Sequence, residues 1–332
     1  MGENLKRVTI QDIAELSKTS KSSVSRYLNN GYVSEEASKR IELAIEQTGF
    51  QCNFFAKRLK SKYSHLIGVI IPRLDSVSIG KTLNGINEVL TNHEFQPLIV
   101  SSDLSIEKEL KNIKSLSNQG VDGIIVQSLQ ITEKHIELIN TLKIPVWFTG
   151  QKHEKVNCLT INDYQAGQIL GKYIMPLNRK KIVFLGVSES DVAVGIERKK
   201  GFFDVFSESS SQVKLKFVET DFTFKTAYRY GEKVMAFKPD TIICATDNVA
   251  IGLMRYLHEH QIDVPTDIIV AGFGGYEISS VVYPPLTTVA FNYEELGKKV
   301  ANCLLKSIGN ESLNSSEYLG MDLIVRKSTE LK

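Results

Sequence analysis

Residues 8–50 read VTIQDIAELSKTSKSSVSRYLNNGYVSEEASKRIELAIEQTGF, and the spacing of their apolar side chains predicts a small all-helical unit at the head of the chain. Ile10, Ile13 and Leu16, then Val24, Tyr27 and Leu28, fall three and four residues apart, the interval that aligns side chains on one helix face. The polar break between them, Ser17-Lys18-Thr19-Ser20, is short enough for a helix-turn-helix corner. A third helix follows. Ser34 supplies an N-cap, Glu35 and Glu36 suit the positive end of the helix dipole, Ile41, Ala44 and Ile45 continue the apolar stripe, and Gly49 stops it.

From Leu66 onward the texture changes to short apolar runs. LIGVII (66–71), PLIV (97–100), GIIV (123–126), PVWF (145–148) and LTI (159–161) form one series of expected strands. IVFLG (182–186), LKFVE (215–219), TIICA (241–245), IIVAG (268–272), TTVAF (287–291) and LIV (323–325) form a second. Runs without alternation, separated by amphipathic stretches, are those of parallel strands covered on both faces. The expected fold is an α/β core of two doubly wound parallel-sheet subdomains behind an all-α helix-turn-helix headpiece, with a break near Asn162. Ligands in such sheets bind beyond the carboxyl ends of the strands, so a cleft between the subdomains is the natural site.

Composition narrows the function classes. The 332 residues are 42% hydrophobic and carry 40 Lys and Arg against 38 Asp and Glu, which excludes a uniformly basic coat or an acidic tail. Charge is local instead: before residue 63 there are 11 basic and 7 acidic residues, and after it 29 and 31. Cys52, Cys158, Cys244 and Cys303 are widely spaced, with no CxxC pair, so neither a zinc site nor a disulfide framework is indicated and no metal or cofactor is expected. No apolar run reaches the length of a membrane span, and the segment MGENLKRVTIQD lacks the apolar stretch of a signal peptide. A cytoplasmic location with reduced thiols is expected. A P-loop, a GxSxG elbow and a strand-linked GxGxxG are all missing, so the reading is of a non-enzyme.

The second helix carries the chemistry of the head. Ser20, Lys21, Ser22, Ser23, Ser25, Arg26 and Asn29 place small hydroxyls and two cations together, which suits phosphate donors beside side chains long enough to reach base edges in a major groove. A merely solvated helix face has the same composition.

The quoted stretch resembles the headpiece of the lactose-repressor (LacI/GalR) family of bacterial transcription regulators, and the likeness runs through the whole chain, because that family joins such a headpiece to a core similar to periplasmic sugar-binding proteins. The resemblance implies that Lys21, Ser22 and Arg26 read bases, while Thr9, Ser20, Ser23, Ser25 and Asn29 stand at or near backbone contacts. It further implies that Asn53-Phe54-Phe55-Ala56-Lys57-Arg58-Leu59 is a hinge helix, with Asn53, Ala56 and Leu59 at the DNA and Leu59 as a minor-groove wedge paired with its copy in a second subunit. Cys52 replaces the proline that usually opens this hinge, so the helix start is less rigidly set.

In the core, Arg73 and Asp75 directly follow the first strand, where an arginine fork suits a phosphate or sugar hydroxyls; a surface pair between the two accounts equally for their proximity. RLDSVS (73–78), LGVSESDVAVGIERKKGF (185–202) and CATDNVAIG (244–252) are similar to trehalose-type members of the family. By that likeness Arg198 is the effector-clamping arginine, Asp247 faces the cleft, and Phe222 stacks on sugar. Trp147 lies inside a strand run and reads as core. Gln151 stands where trehalose-type members carry a second phosphate-facing arginine, and Gly274-Gly275 where many relatives carry an effector-binding acid. Gln151 and the VAVG run are closer to sucrose-type members.

The resemblance implies a homodimeric repressor of a sugar-utilisation operon, acting on near-palindromic operator DNA and answering to a sugar or sugar-phosphate effector. The expected layout is a headpiece over 1–50, a hinge over 51–64 and a core over 65–332. Within the core the N-subdomain covers 65–161 and 291–320, and the C-subdomain 162–290 and 321–332. By the family pattern, dimer contacts are expected near 78–92, 105–118 and 276–283. A global regulator needing a protein corepressor is the alternative, and a sugar-binding transport protein a lesser one.

Overall fold

A computed structural model of the chain describes residues 8–28, 31–50, 63–207, 213–311 and 319–330. The chain divides into two compact units, Met1–Ser64 and His65–Lys332.

The first unit holds α1 (Ile10–Leu16), α2 (Lys21–Leu28) and α3 (Glu35–Thr48). Thr9 caps α1 through a reciprocal exchange with Asp12: the Thr9 N–H donates to Asp12 Oδ2 at 2.7 Å and the Asp12 N–H donates to the Thr9 hydroxyl at 3.4 Å. The corner between α1 and α2 turns at Lys18, which has φ of 51°, and Ser20 opens α2 by accepting the Ser23 N–H at 3.1 Å. Gly49, with φ of 60°, ends α3. Ile13, Ala14, Val24, Ile41 and Ala44 form the core, with Val8, Tyr27, Leu28 and Ile45 packed around it. The helical periodicity therefore buries one apolar stripe from each helix.

The second unit is built on two sheets. The first has the order β2-β1-β3-β4-β5 from strands Leu66–Ile71 (β1), Gln96–Ser101 (β2), Gly123–Gln127 (β3), Val146–Thr149 (β4) and Asn157–Cys158 (β5), all parallel. Because side chains alternate across a strand, Ile67, Val69 and Ile71 pack under α4 (Val77–Asn92) and α13 (Tyr293–Ile308). Leu66 and Ile70 pack with Ile113 and Leu116 of α5 (Ile106–Asn118) on the other face, with α6 (Glu133–Asn140) beside it. Each such fully buried aliphatic side chain contributes about 1.5–3 kcal/mol.

The second sheet has the order β11-β10-β9-β8-β6-β7 from Lys181–Gly186 (β6), Lys214–Glu219 (β7), Thr241–Cys244 (β8), Ile269–Gly274 (β9), Thr287–Phe291 (β10) and Met321–Ile324 (β11). Helices α7 (Asp163–Ile174) and α8 (Arg198–Ser207) cover one face; α9 (Phe224–Arg229), α10 (Gly231–Met235) and α11 (Asp247–Glu259) cover the other, and α12 (Ile278–Val281) follows β9. The second lobe departs from an all-parallel sheet at its edge, where β11 runs antiparallel to β10. The expected strand at 159–161 is also displaced. After β5 the Leu159 N–H still donates to the Phe148 carbonyl, but Ile161 makes only an isolated bridge to Leu319 and Asn162 already caps α7 by accepting the Gln165 N–H.

Two helix crossings depend on glycine. A Cβ on Gly167 would lie 2.2 Å from the Arg198 carbonyl oxygen and one on Gly201 1.9 Å from that of Tyr164, so α7 and α8 meet backbone to backbone. In the first lobe a Cβ on Gly85 would lie 2.0 Å from the Glu294 oxygen and one on Gly297 2.0 Å from that of Thr82, which seats α4 on α13 in the same way. The helices that follow the first two passages between lobes open with an asparagine cap, Asn162 or Asn292, and carry their contact glycine five residues later.

Candidate functional site

The carboxyl ends of both sheets converge on a cleft between the lobes, the place where such sheets bind ligands. β1 delivers Arg73, β3 delivers Gln127 and Ser128, and β4 delivers Gln151; from the second lobe come Asp191 after β6, Phe222 after β7, Asn248 after β8 and Tyr276 after β9. Asp163 and Tyr293, at the starts of α7 and α13, complete the polar wall.

Arg198 anchors it. Its Nε donates to Asp163 Oδ1 at 2.9 Å, its Nη2 donates to the same oxygen, and its Nη1 donates to the Ala245 carbonyl at 2.5 Å. The guanidinium lies 5.0 Å from the Phe273 ring centroid and 5.1 Å from that of Phe291. Burial works against the arginine's charge, but the Asp163 carboxylate together with the Tyr293 and Tyr276 side chains more than offsets it, and the guanidinium is held above its ordinary value. A π-helical turn, Val192–Glu197, leads into Arg198 and begins at Asp191, whose Oδ1 accepts the Val194 N–H at 3.0 Å. Burial pushes the Asp191 carboxyl up to about 6, helped by the nearby Asp163 charge and opposed by the Val194 N–H and Arg198.

Arg73 stands on the first lobe with its guanidinium 4.6 Å from the Phe222 centroid, a cation–π contact across the cleft. The Leu129 carbonyl accepts the Val192 N–H at 3.3 Å and forms a second link between lobes. The neighbouring Asp221 carboxyl is raised by burial but brought below its ordinary value by the Thr223 N–H, the Thr223 and Thr226 hydroxyls and the Arg73 charge.

Four of the six core residues singled out from sequence, Arg73, Gln151, Arg198 and Phe222, line this cleft. Two do not. Asp75 lies 3.6 Å from Arg73, but its side chain is 72% exposed and outside the cleft wall. Asp247 is wholly buried behind the wall, accepting the Thr288 hydroxyl at 2.6 Å and the Tyr276 N–H at 2.9 Å. The reason is helical geometry: Asp247 opens α11 and turns inward, so that its neighbours Thr246 and Asn248 take the cleft positions. Burial raises the Asp247 carboxyl despite these hydrogen bonds. Trp147 is core, its indole N–H donating to the Ser307 hydroxyl at 2.9 Å.

Sequence reasoning missed Gln127, Ser128, Asp163, Asp191, Asn248, Tyr276 and Tyr293. Their shared signal is position, since each sits at or just beyond a strand's carboxyl end or at the start of a helix entering the next lobe. Asn248 is the most telling of them: its Oδ1 is buried with no hydrogen-bond partner among the described residues, a state that costs about 1–3 kcal/mol unless a ligand donates to it.

On the first unit, Lys21, Ser22 and Arg26 are exposed on α2, Val24 is buried, and Ser23 and Ser25 are partly buried. Ser20 is exposed and bonded to the Ser22 and Ser23 hydroxyls at 2.6 and 2.9 Å. Thr9 is exposed, but its hydroxyl is engaged with Asp12. Asn29, Asn53, Ala56 and Leu59, with the expected hinge helix, lie outside the described residues.

Two family profiles match the chain: "Bacterial regulatory proteins, lacI family" over residues 9–53 and "Periplasmic binding protein-like domain" over residues 173–329. The chain is 33% identical over 304 residues to the sucrose operon repressor of Staphylococcus xylosus, covering 91% of this chain and 94% of that protein. It is 28% identical over 315 residues to catabolite control protein A of Priestia megaterium, covering 93% and 95%. Among solved structures, the lac repressor dimer bound to operator and the anti-inducer ONPF superposes with a TM-score of 0.89 at 23% identity, over 98% of this chain and 99% of that one. That last likeness is one of fold.

Proposed function

The chain belongs to the lacI family of bacterial regulatory proteins, and on that premise we propose that it is a homodimeric repressor of a sugar-utilisation operon, with operator DNA read by α2 and sucrose or a close relative bound in the cleft as effector. Its place of action is the bacterial cytoplasm. Members of this family regulate transcription and are not enzymes.

The observation that carries the reading is the cleft itself: strand carboxyl ends from two lobes present amides, hydroxyls and aromatic rings around two arginines, the groups that hold a polyhydroxy ring. The relation to the sucrose operon repressor favours sucrose. On α2, Lys21, Ser22 and Arg26 are assigned to base edges, and Thr9, Ser20, Ser23, Ser25 and Asn29 to the phosphate backbone. Asn53, Ala56 and Leu59 are assigned to the minor groove, with Leu59 as the wedge. Exposed Ile278, Val281 and Tyr283 lie within one of the stretches assigned to the dimer contact, and exposed Leu104 adjoins another. DNA and effector favour different arrangements of the dimer, and each weakens the other's binding by the same factor.

The test is selection of binding sites from a random duplex library by the purified full-length chain, followed by addition of sucrose, trehalose, fructose and their 6-phosphates. Recovery of a palindrome released by one sugar supports the reading; failure to select any DNA overturns it. The relation to catabolite control protein A favours a second reading, a global regulator that binds operator only with a protein corepressor. Selection by the chain alone separates the two.

A further inference from the structure

Ser128 and Leu129 follow β3 in the wall of the cleft, and what fixes them lies behind that wall. Glu109 of α5 and His135 of α6 are both buried, and neither lines the cleft. A carboxyl so enclosed is costly without partners. Glu109 Oε1 has two, accepting the Ser128 hydroxyl at 2.6 Å and the His135 Nε2–H at 2.9 Å. The imidazole is committed on its other side, where Nδ1 accepts the Thr132 N–H at 3.1 Å, so the ring proton sits on Nε2 and faces Glu109. Phe148 of β4 meets the same ring edge-on, with centroids 6.0 Å apart.

These bonds hold the turn on both sides of Leu129. Before it, the Ser128 N–H donates to the Thr149 carbonyl at 3.1 Å, and the Ser128 hydroxyl lies 3.0 Å from the Gln130 carbonyl as well as against Glu109. After it, Thr132 is tied to His135. Leu129 is thus carried between fixed residues, and its carbonyl accepts the Val192 N–H of the second lobe at 3.3 Å. Val192 is the first residue of the π-helical turn that leads to Arg198. A side-chain network buried in one lobe therefore ends on a main-chain bond to the other.

We propose that Glu109 and His135 are positioning residues for lobe contact: through Ser128 and Thr132 they set the turn that aims the Leu129 carbonyl at the Val192 N–H, and this bond is a clasp made by the chain's own backbone. What the clasp does to affinity rests on the reading of the cleft as an effector site. There, losing it lowers the fraction of chain with its lobes together, and apparent affinity falls with that fraction.

The test is hydrogen exchange at the Val192 amide of the full-length chain without ligand, joined to calorimetric titration of the same variants with sucrose, trehalose, fructose and their 6-phosphates. Glu109→Gln offers an amide oxygen to the same two donors, while Glu109→Leu fills the space without an acceptor. Glu109→Leu should speed exchange at Val192 about tenfold or more, with the Val183 and Ala271 amides of β6 and β9 keeping the parent's rate, a pattern that a general loss of stability does not give. Glu109→Gln should stay close to the parent. Val192→Pro removes the donor itself at a place that suits proline, since Asp191 before it is extended, with φ of −92° and ψ of 101°, and residue 192 opens the helical turn. It should weaken binding of the tightest sugar about threefold or more, and Glu109→Leu added to it should weaken binding no further. Unchanged exchange at Val192 in Glu109→Leu, equal exchange in the Gln and Leu variants, or additive losses in the double variant overturns the proposal. If Glu109→Leu speeds exchange at Val183 and Ala271 as well, Ser128→Ala decides: faster exchange confined to Val192 supports the clasp, and the parent's rate there contradicts it. A parent chain that binds none of the sugars ends the effector reading, and exchange at Val192 still judges the clasp.

Discussion

The Arg73 guanidinium lies over the Phe222 ring, 4.6 Å from its centroid, and because Arg73 follows β1 while Phe222 follows β7, this contact joins the two lobes across the cleft mouth. A guanidinium stacked on a ring keeps its in-plane N–H groups for other partners. The exposed Asp75, 3.6 Å away, competes weakly for them in water. Arg73→Ala is therefore expected to lower affinity for a phosphorylated sugar at least tenfold, and for its neutral counterpart less than threefold. Titrations with both forms measure this, and equal losses would show that Arg73 recognises hydroxyls or supports the loop.

Arg26 is exposed on α2 and sits away from the core of Ile13, Val24 and Ile41. Arg26→Ala is expected to cost about 1–3 kcal/mol at its base pair and to relax preference there, with the melting curve unchanged. Competition between selected and scrambled duplexes reads this directly. Retained sequence preference would remove Arg26 from the base-reading set.

Asp191 gives the stability of the core a pH dependence. Its folded value of about 6 lies above the ordinary 3.8, so the folded chain holds this proton more tightly. The resulting stabilisation is fully present below pH 3.8 and is lost as pH rises through 6, where an ionised buried carboxylate costs roughly 3 kcal/mol relative to the neutral form. Asp191→Asn keeps an acceptor for the Val194 N–H and removes the charge. It should raise the melting midpoint at pH 8 clearly more than at pH 5. The same difference at both pH values would mean that Asp191 does not titrate as its burial implies.

The α7–α8 crossing permits no side chain at its contact. Gly201→Ala places a Cβ 1.9 Å from the Tyr164 carbonyl oxygen, so the helices must separate and disturb Asp163 and Arg198 on their first turns. A loss of about 1–3 kcal/mol or more is expected by denaturant unfolding, together with weakened effector binding. Gly80→Ala, where a Cβ meets nothing within 4 Å, is the control and should be close to neutral.

The periodicity of residues 8–50 and the unbroken apolar runs from Leu66 onward made the helical head and the two sheets legible, because burial on both faces leaves no alternation to misread. What sequence could not supply was the direction of individual side chains at strand ends. Asp247 and Asn248 are adjacent, yet one supports β10 and the Tyr276 backbone while the other faces the cleft, a choice made by the helix phase at Thr246. Asp163 and Arg198 are 35 residues apart and meet only because Gly167 and Gly201 bring two helices into contact. Tyr276 escaped notice because its place in the cleft wall depends on the positive φ of Gly274 and Gly275 before it. Antiparallel β11 was equally hidden, since a four-residue run does not state its direction.

The most direct measurement is calorimetric titration of the full-length chain with sucrose, alone and in the presence of saturating palindromic DNA recovered by selection. The expected result is a binding isotherm whose affinity falls when DNA is present, matched by an equal fall in DNA affinity when sucrose is saturating. Sucrose affinity that is the same with and without DNA would contradict an effector-controlled repressor.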